Sequence, residues 1–121
     1  MKSHWVEHKG KRVFIADYSG LSMDYSALQQ EADYVIATLI KESPNSALTI
    51  TNVTETTATA DNVAILQKVP PKTNDHVYKR AVVGIKGMRW YLIGVFNKIA
   101  GKAPFNVFHT LEEALDWIVK E

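Results

Sequence analysis

The last third of the chain writes strand, turn and helix twice in succession. Ala81-Val82-Val83-Gly84-Ile85-Lys86-Gly87 leads into an apolar stretch of helical character, and Phe105-Asn106-Val107-Phe108-His109 leads into Thr110-Leu111-Glu112-Glu113-Ala114-Leu115-Asp116-Trp117-Ile118. A strand followed at once by a helix and then by another strand is the pattern of a parallel sheet covered by helices. The grammar restricts the fold to the α/β class and names no reaction.

The rest of the chain has to fit inside that architecture. With 121 residues, 46% of them hydrophobic, residues 1–121 are expected to form one domain around one core. Fourteen Lys and Arg face thirteen Asp and Glu, a formal charge of +1, so the overall field favours neither nucleic acid nor an acidic surface. Lys79, Arg80, Lys86, Arg89, Lys98 and Lys102 form no basic stripe interleaved with aromatics, and no nucleic-acid partner is expected. The absence of Cys removes disulfides, thiolate catalysis and sulfur-ligated metals together. Met1-Lys2-Ser3-His4-Trp5-Val6-Glu7-His8 lacks the apolar core of a signal peptide, and the apolar runs fall short of the ~20 residues that span a bilayer. A cytoplasmic location without a transmembrane segment is therefore expected.

Periodicity assigns the elements. Trp5-Val6-Glu7 and Arg12 to Asp17 read as two strands joined by a Gly-containing turn, His8-Lys9-Gly10-Lys11, so the chain opens with a β-hairpin. Leu28, Ala32, Val35, Ile36 and Leu39 then fall on one helical stripe, with Ser22 or Asp24 as the cap and Ser43-Pro44-Asn45 as the stop. Ala47 to Thr51 is a strand. Residues 59–69 read as a second helix, with Val63, Leu66 and Val69 inward and Pro70-Pro71 closing it. Lys79 to Gly84 is a strand. Residues 88–100 have the composition of a buried strand, but Met88, Leu92, Val95, Phe96 and Ile99 share a helical face and Gly101 stands where a C-terminal glycine would. The last helix carries a capping box, Thr110 with Glu113, and an inward stripe of Leu111, Ala114, Leu115, Ile118 and Val119. The expected sum is an α/β fold of about five mostly parallel strands and four helices behind an N-terminal hairpin.

In order of elements, the chain resembles the STAS/SpoIIAA-like group. The resemblance is carried by Asp17-Tyr18-Ser19-Gly20 after the hairpin, Leu48-Thr49-Ile50-Thr51-Asn52-Val53-Thr54, Ala81-Val82-Val83-Gly84, and Val107-Phe108 before Glu113-Ala114-Leu115-Asp116-Trp117. These small bacterial domains are related in fold to anti-sigma-factor antagonists and to CRAL-TRIO lipid carriers. The resemblance implies a regulatory or binding module. In the antagonists a Ser in an Asp-Ser-Ser-Gly-like turn is phosphorylated. Asp17-Tyr18-Ser19-Gly20 looks like that turn but stands one strand too early; the equivalent stretch, Thr51 to Asp61, holds hydroxyls and no Ser-Gly. By position, phosphorylation would fall on Thr57 or Thr59, beside a helix N-terminus that favours negative charge.

Sheets of this kind bind ligands outside the carboxyl ends of their strands. That places Asp17, Tyr18, Ser19, Asn52, Thr54, Lys86, Arg89 and His109 on one rim as candidate ligand contacts. Gly84-Ile85-Lys86-Gly87 would let a backbone approach an anion, with Lys86 and Arg89 adding charge, but it lacks a complete phosphate-loop or dinucleotide fingerprint. Trp90, Ile93 and Trp117 lie off the inward stripes of their helices and are candidate interface anchors for a protein partner or a second copy. Ser19, His109 and Asp17 have the residue types of a hydrolytic triad without a nucleophile elbow around the serine. His4 and His8 have no third ligand at recognisable spacing, and His76 stands in a polar loop, so neither metal nor cofactor is expected. The expectation is a non-enzymatic regulatory or protein-interaction module. Its alternatives are a carrier of a small apolar ligand or lipid, and a hydrolase using Ser19 and His109.

Overall fold

A computed structural model describes residues 1–21, 24–56, 59–85 and 103–120 of the chain. β1 (His4–His8) and β2 (Lys11–Asp17) form the expected hairpin. Its two-residue loop closes between His8 and Lys11, and Lys9 and Gly10 both take positive φ, 51° and 82°, the mirror-image turn that matches strand twist. α1 (Tyr25–Leu39) starts at Asp24, whose carboxylate accepts from the Ala27 amide. β3 (Ala47–Asn52), α2 (Ala60–Leu66), α3 (Val69–Thr73), β4 (Val77–Val83), β5 (Phe105–Phe108) and α4 (Leu111–Ile118) follow.

The strands lie in one sheet in the order β1-β2-β3-β4-β5, with the hairpin antiparallel and every later pair parallel. Because each crossover steps in the same direction, right-handed connections put α1, α2 and α3 on one face of the sheet. That face holds Phe14, Ala16, Tyr18, Leu28, Val35, Leu39, Val69 and Val77. The second face, built on Val13, Ile15, Ile50, Ala81 and Val83, is covered by α4 through Ala114, Ile118 and Val119. Burial of these two apolar layers is the main stabilising term of the fold.

The structure corrects the expected elements in several places. Pro70-Pro71 do not close a helix but sit in the first turn of α3, where an amide has no intrahelical acceptor and its loss costs nothing. β4 begins at Val77, two residues early, and a register shift opposite Ala47 and Leu48 leaves Tyr78 unpaired and 55% exposed. This bulge inverts the alternation of the strand: Val77 joins the α1 face, and beyond Tyr78 it is Arg80 that points there while Ala81 and Val83 take the α4 face. Leu111, expected inward, is 40% exposed at the start of α4. Residues 88–100 and Gly101 lie outside the described residues.

Candidate functional site

At the carboxyl rim two strand ends make the same local structure. Asp17 Oδ1 accepts from the Ser19 amide at 3.0 Å and from Ser19 Oγ at 2.6 Å. One strand over, Asn52 Oδ1 accepts from the Thr54 amide at 3.0 Å and from Thr54 Oγ1 at 2.6 Å. In each case a short Asx side chain replaces a backbone acceptor and turns the chain out of the sheet. The strand ends are then stapled together: the Tyr18 amide donates to Asn52 O, Gly20 to Thr54 O, and Val53 to Val83 O, at 2.9–3.1 Å. Gly84 completes the row. Its φ is +90°, and a Cβ there would stand 2.4 Å from the Thr54 amide nitrogen, so only glycine lets the end of β4 close on the β3 turn.

The N-terminal residues brace this rim. The Lys2 and Ser3 amides donate to the Glu31 carboxylate at 3.1 and 2.8 Å, Ser3 Oγ accepts from the Asp17 amide, and Lys2 Nζ reaches Ser19 O, Ser19 Oγ and Asp17. Glu31, on the buried stripe of α1, is 3% exposed. Its carboxylate is accommodated because backbone donors replace water around it.

The expected rim residues separate into groups. Asp17 and Ser19 stand beside Asn52 and Thr54, whereas His109 follows β5, three strands from β2. At ~4.8 Å per strand that is ~14 Å, too far for Ser19 and His109 to act as nucleophile and base. Tyr18, expected as a ligand contact on the rim, is 2% exposed and turned into the α1 face. Thr59 caps α2, its hydroxyl accepting from the Asn62 amide at 3.1 Å. Thr57, Lys86, Arg89, Trp90 and Ile93 lie outside the described residues, as does Ser22. Trp117 is half-buried: its ring centroid is 5.2 Å from that of Phe108, and the Lys79 ammonium sits 4.2 Å above it. His4 bonds to Lys2 O, and His8 Nε2 pairs with Asp116 at 2.7 Å. Among the described residues no His, Asp and Glu group is arranged to hold a metal ion.

Two features escape a reading of the sequence. The first is a groove of about 630 Å³ at the opposite, amino edge of the sheet, lined by Trp5, Arg12, Leu48, Tyr78, Ile118 and Lys120 among others. Arg12 lies 4.0 Å from the Trp5 ring centroid and 3.5 Å from Glu42. The second is a pair of buried polar side chains on the α1 face. Arg80, 2% exposed, donates from one terminal nitrogen to Pro70 O, Thr73 Oγ1 and Asn74 Oδ1 at 3.1–3.4 Å, and Phe105 lies against its guanidinium. Burial lowers its pKa to about 10, against a raising contribution from Tyr18. Burial, with Glu31 second, pushes the Tyr18 phenol well above its ordinary value. Only the bulge at Tyr78 turns Arg80 inward, and neither composition nor periodicity announces a bulge.

No family model and no curated protein matches the sequence. Among solved structures, the chain is similar to an uncharacterized protein of the DUF3478 family from Shewanella loihica PV-4, described as having a SpoIIAA-like fold. The two share 15% identity with a TM-score of 0.69, over 96% of this chain and 91% of that one. No helix among the described residues is long and apolar enough to cross a membrane. The hairpin and the stepwise parallel sheet with helices on both faces make a SpoIIAA-like fold.

Proposed function

We propose that the chain is a non-enzymatic regulatory module that docks a protein partner, or a second copy of itself, on the carboxyl rim of its sheet. The observation that carries this reading is the closure of the rim on itself. Ser19 and Thr54 give their hydroxyls to neighbouring Asx side chains, and the ends of β2, β3 and β4 are fixed to one another by backbone bonds. A surface so fixed loses little conformational entropy on binding, which favours recognition. Catalysis would need an assembled nucleophile and base, and Ser19 and His109 are held three strands apart. Asp17, Ser19, Asn52, Thr54 and His109 are the contacts assigned to the partner.

Photo-crosslinking in cells tests the assignment, with a benzophenone amino acid placed at Glu55 or His109, both exposed, and at Ser46 or Tyr78 on the opposite edge as controls. Adducts from the rim positions alone are expected. A product of twice the chain mass would identify a second copy as the partner. Adducts only from Ser46 and Tyr78 would remove the rim from consideration, and a retained small apolar molecule in native mass spectrometry would replace this reading with that of a carrier.

A further inference from the structure

The groove at the amino edge of the sheet lies where β2, β3 and β4 begin, and its volume of about 630 Å³ is that of a small-molecule site. Among the described residues its walls carry three cations, Lys11, Arg12 and Lys120, against one carboxylate, Glu42. The chain as a whole balances fourteen Lys and Arg against thirteen Asp and Glu, so positive charge is concentrated here. Glu42 stands 3.5 Å from Arg12, which matches its charge, and the two lysines set the sign of the remaining field. Lys79, beside the groove, senses that field. Burial lowers its ammonium below the ordinary value, and the charges of Lys11 and Lys120 lower it further. Three ammonium groups thus share one neighbourhood, where an anion is attracted by all of them.

Aromatic side chains give the groove a second character. Trp5 packs against Phe14 with ring centroids 5.0 Å apart, and the Arg12 guanidinium lies 4.0 Å from the Trp5 centroid. Tyr78 is the residue that the bulge in β4 sets apart from the ladder, and it is 55% exposed. Bulges recur beside binding sites because they re-aim a side chain. A ring and a stacked guanidinium both offer flat faces to a planar ligand. We propose that this groove binds a small amphipathic anion, its acidic head beside Lys11 and Lys120 and its planar apolar body against Tyr78 and the Trp5–Arg12 stack. The groove shares no residue with the carboxyl rim, so the site is separate from the one assigned to a protein partner.

The test uses sodium cinnamate, a planar carboxylate, and cinnamamide, its neutral isostere, each titrated into the whole protein. Nitrogen–proton correlation NMR reads the backbone amides and the indole N–H groups, and reports the folding of every variant in the same spectrum. Cinnamate is expected to shift the Trp5 indole N–H and the amides of Lys11, Leu48 and Tyr78 saturably, and to bind about tenfold more tightly than cinnamamide. Lys120→Gln, at an exposed position, should weaken cinnamate by about fivefold and leave cinnamamide unchanged. Tyr78→Ser should weaken both by about fivefold, the loss of one ring contact. Equal affinities for acid and amide would overturn the anionic ligand, and cinnamate binding untouched by both Lys120→Gln and Lys11→Gln would overturn the place of its head. A groove silent to millimolar cinnamate, or shifts at Asp17, Ser19, Asn52 and Thr54 in its stead, would overturn the site.

Discussion

Gly84 shows how one backbone angle governs the rim. A methyl group there would meet the Thr54 amide nitrogen and Oγ1 at 2.4 Å, and the residue would also be held at φ +90°. Gly84→Ala is therefore expected to destabilise the fold by at least ~2 kcal/mol, measured by chemical denaturation, because neither the clash nor the angle relaxes without unstapling β3 from β4. Thr110 is a milder case. Its hydroxyl accepts from the Glu113 amide at 3.1 Å at the start of α4, and Thr110→Ala should cost about 1 kcal/mol in the same assay, with Thr110→Ser restoring most of it. Caps of this kind are legible in sequence, since Asp24, Thr59 and Thr110 each stand just before an apolar periodic run and each accepts from an amide three residues on. Buried polar residues are not. Nothing in the neighbourhood of Glu31 or Arg80 marks them as interior, because their burial depends on the N-terminal strand arriving at α1 and on a bulge in β4.

At the scale of elements, α4 is held to the sheet by more than its apolar stripe. Asp116 takes His8 Nε2 at 2.7 Å and Lys9 Nζ at 3.2 Å, and Lys79 Nζ donates to Trp117 O and Lys120 O at the same, C-terminal end of the helix. The bonds from His8 and Lys9 lower the Asp116 carboxyl below its ordinary 3.8. A carboxyl depressed in the folded state contributes stability above its unfolded value and loses it as pH falls through the folded one. Amide exchange in α4 should therefore quicken below about pH 4 relative to α1, and Asp116→Asn should remove that difference. The size of the effect is small, as for surface ion pairs generally.

The hairpin, α1, β3 and α4 follow from period and punctuation in the sequence, because each combines a clear apolar rhythm with a turn or a cap. α3 does not, since proline reads as a stop until its place in a first turn is known. The site was legible as a rim and not as a geometry. Topology rules put Asp17, Ser19, Asn52 and Thr54 together, but the inward rotation of Tyr18 and the distance of His109 depend on strand order, which local sequence does not encode.

For the molecule as a whole, the described residues protect the two faces of the sheet unequally. Among them, one face is packed by α1, α2 and α3, and the other by the eight residues of α4. Ile118 is 1% exposed at the centre of that second layer, and Ile118→Ala should cost about 2–5 kcal/mol, with increased binding of a hydrophobic dye as the underlying strands are uncovered. An equally large loss from an α1-face residue without dye binding is the contrast that would establish α4 as the weaker cover. Strand order adds a dimension of time. Because every strand pairs with the one made just before it, the sheet grows at a single advancing edge, and a chain leaving the ribosome meets no long-range pairing that must wait for a distant partner. Its underside, however, stays greasy until α4 emerges. A nascent chain with β1 to β4 released and α4 still unmade would have one side of its sheet unroofed, open to a chaperone or to a neighbouring nascent chain.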